Sequence, residues 1–297
     1  MLFSLGCNST NEESNDTPLE TGTSIHFVNV SNITDYYGTS MCVLIRHNDK
    51  TVLIDAGTEI DASKQIVKDY LKSVGVKKID HLILTHAHND HAGGMAYQIE
   101  NFDIGTLYTK PVDWNKVTST RERFFYDDVY LSAQYKVNTD GSFANIVIPN
   151  QEGYKVTLDQ TASFEIYNCT EVHSNQYAGQ DYNNFSMQIK FTYKNVSAFI
   201  GGDAMNTSDH LIVNEVGECE LYSLQHHGTA YPYTSQVLLD ELTPSICVVN
   251  GITEAFDSGT RSRCELFAGQ IYVTGEKGNI VFDCDGEHFT FRASVTE

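Results

Sequence analysis

The seven residues Thr85-His86-Ala87-His88-Asn89-Asp90-His91 constrain this chain more than any other stretch. Three imidazoles and a carboxylate within six residues can converge only if their loop folds around something positive. Neutral imidazole and carboxylate are ligands of divalent zinc, manganese and iron. Histidines at i and i+2 can hold one ion, while Asp90 and His91 turn toward a second. Gly93-Gly94 follows and permits a tight entry into a helix. A metal site is the expectation.

A single cluster seldom completes a two-metal site, so partners are expected at the ends of other strands. Ile79–Leu84 reads as a buried strand that stops just before the histidines, and Thr51–Ile54 as a short one ending in Asp55-Ala56-Gly57. Between them Ile66, Val67, Tyr70, Leu71 and Val74 have helical spacing. Later, Ser197–Ile200 reads as a strand followed by Gly201-Gly202-Asp203. That Asp203 can bridge two metals, or merely cap the turn before Asn206. Glu220–Leu224 is followed in the same way by Gln225-His226-His227-Gly228, and a histidine pair at a strand end points to function more than to packing.

Further strands are expected at Ile25–Val30, Met41–Arg46, Lys155–Leu158, Phe164–Asn168, Phe185–Tyr193 and Ile246–Val249. Helices are expected after a cap at Asn206 or Thr207 and over Ser235–Leu242. Two strand-rich halves, each covered by helices, predict an α/β chain folded as an αββα sandwich. One domain is expected over residues 24–297, preceded by a tether at 1–23 that has almost nothing to bury. Residues 100–150 are irregular and rich in aromatics, including Trp114, Phe125, Tyr126 and Tyr130. They are expected to form an insertion with its own small core, or a lid.

These motifs together resemble the metallo-β-lactamase superfamily, and within it the ComEC-like branch, named for the soluble hydrolase domain of a DNA-uptake channel. The likeness runs from about Ile25 to Phe291 and includes Asn183-Asn184-Phe185-Ser186 and Tyr272–Gly275. It implies one or two divalent ions, zinc first and manganese second. His86 and His88 would hold one, Asp90 and His91 the other, and Asp203 would bridge them. Asp55 would orient the histidine loop from behind rather than bind metal. Two departures stand out. Most of the superfamily carries a histidine where this chain has Asn183, which leaves Asn183 as a weak ligand and His173 as an outside candidate. A His-Pro common after His-His-Gly is missing, so Asp257 or Glu254 would substitute, or His227 would enter the metal sphere.

The resemblance implies hydrolysis by a metal-bound hydroxide. Asp90, His226 and His227 are the catalytic candidates, with His226 or His227 steadying the developing oxyanion or protonating the leaving group. A phosphodiester is the first expectation for substrate, small or derived from nucleic acid. The alternatives are a lactone or thioester acyl hydrolase on the same metals, or a lipid-anchored binding protein whose site has decayed.

Charge narrows the partners. Nineteen Lys and Arg face 39 Asp and Glu, a formal net charge of −20. Lys77–Lys78, Arg121 with Arg123, and Arg261 with Arg263 read as solvated pairs rather than a groove. Duplex DNA binding is therefore disfavoured, although bound dications would add positive charge. Seven cysteines are scattered without a C-x-x-C pair, which removes zinc-ribbon and thioredoxin readings. Leu5-Gly6-Cys7 followed by polar Asn8–Asp16 resembles a bacterial lipoprotein signal cut short. Lipid on Cys7 would anchor the chain to a membrane outside the cytoplasm; if the likeness is chance, the chain is cytoplasmic.

Overall fold

Val52-Leu53-Ile54 is apolar at three successive positions, which suits a strand buried on both faces. In the computed structural model, which describes residues 22–31, 38–110, 120–139, 143–170 and 179–292, Val52 and Ile54 enter one core and Leu53 another. Val43, Leu44 and Ile45 divide in the same way, because side chains alternate faces along a strand. Each such side chain contributes roughly 1.5–3 kcal/mol by leaving water. The repeated pattern forces layers on both sides of the sheet.

The first half comprises β1 (Thr23–Phe27), β2 (Val43–His47), β3 (Lys50–Ile54), α1 (Asp61–Ser73), β4 (Lys78–Ile83), α2 (Asn89–Ala92), α3 (Met95–Asn101), β5 (Asp103–Tyr108), α4 (Thr120–Thr139) and β6 (Phe143–Val147). The second comprises β7 (Tyr154–Thr157), β8 (Ala162–Tyr167), β9 (Gln188–Tyr193), β10 (Val196–Ile200), α5 (Asn206–Val216), β11 (Leu221–Ser223), α6 (Gln236–Leu242), β12 (Ile246–Val249), α7 (Ser258–Cys264) and β13 (Gln270–Val273). Then α8 (Thr274–Lys277), β14 (Ile280–Cys284) and β15 (Phe289–Arg292) complete the chain. One sheet runs β15-β14-β1-β2-β3-β4-β5-β6 and the other β13-β12-β11-β10-β9-β8-β7. Their inner faces share a core that includes Ile45, Ile54, Phe164, Phe191 and Ile200. Val67, Met95 and Val129 cover one outer face, and Ile212, Leu239 and Cys264 the other. The architecture is an αββα sandwich.

Strand placement follows the apolar runs to within a few residues, and the departures have local causes. The segment before β9 forms a 3-10 turn over Gly179–Phe185, so that strand starts three residues later than expected. Helix α5 begins one residue earlier than a cap at Asn206 would allow, so Met205, which has no side-chain oxygen, stands at the cap position, and Asn206 Nδ2 donates to Tyr231 Oη. The larger difference is at 100–150. There β6 pairs in parallel with β5, and α4 lays Phe125, Val129 and Ala133 against the outer face of the first sheet. The described part of this stretch thus extends the main sheet by a β–α–β step and shares its core. Trp114 and Cys7 lie outside the described residues, as does His173. Among the described residues no helix is long and apolar enough to cross a membrane.

Candidate metal centre

Register brings the site together. In the parallel pair β3–β4, Ile54 stands beside Ile83, so Asp55 and Thr85 leave the sheet side by side. Asp55 adopts φ 55°, a left-handed conformation rare outside glycine. Its carboxylate accepts the Thr85 backbone N–H at 2.9 Å, the Thr85 hydroxyl at 2.6 Å and His91 Nδ1–H at 2.7 Å. That last bond fixes the tautomer of His91 and aims Nε2 away from Asp55. The loop closes on backbone: Ala56 N–H donates to His91 O and Met41 N–H to Asp90 O. Gly94 is needed here, since a Cβ would lie 2.1 Å from the Ala56 carbonyl oxygen.

The second sheet supplies the rest by the same geometry. Ile200 of β10 stands beside Ser223 of β11, so Asp203 and His226 each emerge three residues beyond paired positions. Parallel strands releasing polar loops at their carboxyl ends are where open α/β sheets bind ligands. Ser186 Oγ accepts the Asp203 N–H at 2.8 Å. His227 Nδ1–H donates to Asn250 O at 2.8 Å, directing Nε2 to within 3.1 Å of Asp90 Oδ2.

Asp203 is the hub. Its Oδ1 lies 3.2 Å from His91 Nε2 and 3.8 Å from His227 Nε2; its Oδ2 lies 3.6 Å from His86 Nε2 and 3.8 Å from His226 Nε2. Two groups of ligand atoms result, each within 4.8 Å mutually: His86, His91 and Asp203, and Asp90, His91 and His227. The resemblance pairs His86 with His88, and His88 Nδ1 lies 2.9 Å from His86 Nε2; the His91 ring stands close to His86 as well, at 4.3 Å between centroids.

Electrostatics match the grouping. Burial pushes the Asp203 and Asp90 carboxyls up, yet the imidazoles around them outweigh it and hold both below the usual range. Burial pulls His91 down, but Asp203, Asp55 and Asp90 together hold it well above an ordinary imidazole. His86, buried and next to His91, is held well below. His91 Nε2 and Asp203 Oδ1 are buried and face each other at 3.2 Å without forming a well-aligned hydrogen bond, and Asn183 Oδ1 is buried without one. Buried polar atoms held short of a well-formed hydrogen bond lose part of the roughly 1–3 kcal/mol that satisfying them would return. Imidazole nitrogens and carboxylate oxygens converging around a common point fit a divalent metal, which would satisfy them.

The two histidines of the 225–228 turn differ in role. The His227 side chain is 3% exposed and His226 is 29% exposed. His226 stacks on Tyr233 at 3.9 Å between centroids, and Asn183 Nδ2 donates to Tyr233 Oη at 2.8 Å. Burial lowers the His226 pKa. Both open, with His88, Asp90 and Asp203, into a cavity of about 600 Å³ whose far lining includes Thr39, Ile252 and Glu254. Asp257 is used elsewhere, as the cap of α7, accepting the Thr260 N–H at 2.7 Å. Sequence reasoning missed Thr85, Tyr233 and Asn250. Only Thr85, one residue ahead of the cluster, carried a local signal.

Comparison with known proteins agrees with this architecture. Residues 36–167 match the Metallo-beta-lactamase superfamily. A 78-residue stretch is 33% identical to Ribonuclease J of Synechocystis sp., covering 24% of this chain and 12% of that protein; the chain thus matches only about an eighth of that relative's length. Among solved structures, the metallo-beta-lactamase fold protein YhfI from Bacillus subtilis aligns over 88% of this chain and 99% of its own, with TM-score 0.54 and 10% identity. CmlA, a diiron beta-hydroxylase from Streptomyces venezuelae, covers 90% and 55% of the two chains at TM-score 0.52 and 12% identity. Tm1679, a metal-dependent hydrolase of the beta-lactamase superfamily, covers 92% and 100% at TM-score 0.50 and 12% identity. Identities this low establish shared fold, and a hydroxylase among them shows that chemistry must be argued from the site.

Proposed function

The chain is a metal-dependent hydrolase carrying a metallo-β-lactamase superfamily domain, and from that premise we propose that it cleaves small phosphodiesters. The observation that carries this reading is Asp203, whose Oδ2 faces His86 while its Oδ1 faces His91 and His227, so that two groups of candidate ligand atoms meet at one carboxylate. His86 and His88, with Asp203 Oδ2, would hold one divalent ion, zinc or manganese; Asp90, His91 and His227, with Asp203 Oδ1, would hold the second, because Nε2 is the one lone pair that Asp55 leaves free on His91. Bound there, such ions supply an activated water and Lewis-acid stabilisation of both oxygens in an in-line displacement at phosphorus.

The remaining work falls to the chain. Asp55 keeps His91 in the tautomer that presents Nε2 to the site. His226, more exposed than His227 and held by Tyr233 and by Thr229 Oγ1, faces the cavity to steady the departing oxygen or deliver its proton. Substrate size follows from charge. No Lys or Arg lines the cavity among the described residues, and the chain as a whole is strongly acidic. A long polyanion would meet nothing to neutralise its flanking phosphates. A compact diester with a single charge meets no such penalty, and the likeness to Ribonuclease J is in keeping with a phosphoester.

The test uses the full chain, stripped with chelator and reloaded with manganese or zinc, on bis-(p-nitrophenyl) phosphate, a p-nitrophenyl acyl ester and duplex DNA. Metal-dependent turnover of the diester with little on DNA is expected. Turnover of the ester alone would replace this reading with an acyl hydrolase.

A further inference from the structure

His226 and His227 both hold left-handed backbone, with φ of 45° and 58°. Residues that bear side chains persist in that region only where their surroundings over-determine them. The backbone holds part of the turn: His226 N–H donates to Gly202 O at 2.9 Å, and Thr229 N–H to His226 O at 3.0 Å. A further constraint comes from Asp209, a fully buried residue on α5 that is not in the cavity wall.

Three donors from three other segments meet its carboxylate. Gln225 Nε2, from the histidine turn itself, donates to Oδ1 at 2.6 Å. Gln188 Nε2, from β9, donates to the same oxygen at 3.2 Å. Ser235 Oγ, which caps α6, donates to Oδ2 at 2.5 Å. Gln225 is also fixed at its other end, because Oε1 accepts the Thr234 N–H at 2.7 Å. Its amide therefore cannot flip, and only an acceptor can stand opposite Nε2. Gly201 makes room: a Cβ there would lie 2.6 Å from Gln225 Cγ.

We infer that Asp209 is the positioning residue of the site, clamping the His226–His227 turn through Gln225 and the Tyr233-bearing loop through Thr234 and Ser235. The clamp sets both ends of one arrangement. On one side His227 meets Asp90; on the other Tyr233 stacks on His226. Asp209 touches none of the ligand atoms and acts only through the residues it holds. The inference rests on the two-cation reading of the site.

Titration calorimetry of the full-length chain with manganese alone tests it. His227→Ala first identifies the cation that depends on this turn. Asp209→Ala should still fold with cooperative melting, but bind that same cation at least about tenfold more weakly, the scale of loss seen when groups that orient ligands are removed. The other cation should be unaffected, and kcat should fall with KM unchanged. Asp209→Asn keeps an acceptor for both glutamines and should restore wild-type affinity, which a loss of general packing would not. If Asp209→Ala does not fold, Gln225→Met keeps the bulk, removes both amide bonds, and should show the same selective loss. Wild-type affinity in either variant, or equal weakening of both cations, overturns the clamp. Manganese binding indifferent to His227→Ala would overturn the two-cation reading, and with it this inference.

Discussion

Two histidine-bearing turns face each other across the site and are held by opposite means. The 85–91 loop is fixed by groups close by in sequence or paired by register: Asp55, Thr85 and Gly94. The 225–228 turn is fixed from a distance by Asn250, Asp209 and Tyr233. The first is dense enough in chemistry to organise itself. The second offers two histidines in unfavourable backbone and depends on a buried network to aim them. Damage to the first should therefore be more severe.

Removing His91, whose Nε2 lies within both groups of candidate ligand atoms, is expected to have the largest effect. His91→Ala should lower kcat/KM by more than about 100-fold, beyond what groups that merely orient ligands usually cost; steady-state kinetics at saturating manganese checks this. Asp55→Asn comes next. It preserves shape and a hydrogen bond but removes the charge that holds His91 Nδ1–H, and should weaken metal affinity by about 10- to 100-fold. If Asp55→Asn cost as much as His91→Ala, the division between ligand and orienting group would be wrong.

The second turn should respond more mildly. Tyr233→Ala removes the ring stacked on His226 and should reduce kcat by about tenfold or less with KM unchanged, whereas Tyr233→Phe keeps the ring and most of the rate. A change in KM alone would place Tyr233 against substrate instead. The smallest effect on turnover, read instead in stability, is that of Asp209→Asn. Burial, opposed by its three hydrogen bonds, pushes its pKa up to about 6, above the roughly 3.9 of an unfolded chain. The folded state thus holds the proton more tightly. The stability this group contributes is complete below about pH 4 and is lost as pH rises through 6, on the order of 2 kcal/mol by pH 7. Urea denaturation of the wild type against Asp209→Asn across that window should show the slope in the wild type and its loss in the variant.

The same contrast explains what the sequence disclosed. The sandwich was legible because apolar runs such as Val52-Leu53-Ile54 demand cover on both faces. Asp55, Asp203 and the 226–227 pair were legible because they follow such runs directly. Which of His227, Glu254 and Asp257 approaches Asp90 was not, since it depends on how two sheets aim their loops at one point. Tyr233, Asn250 and Asp209 were also hidden. Each acts across 7 to 50 positions through contacts that only the folded register creates, as between Asn183 and Tyr233. The aromatics of α4 misled for a related reason: Phe125 alternates with exposed Phe124, and nothing local says that its inner face belongs to the main core.

The most direct test of the account is a manganese titration of the chelated full-length chain, following bis-(p-nitrophenyl) phosphate hydrolysis and bound metal together, beside Asp203→Asn. The account predicts turnover that is absent without metal, rises with binding to the His91-centred groups, and is lost in the variant. Hydrolysis that survives chelation, or that Asp203→Asn leaves at the wild-type rate, would contradict it.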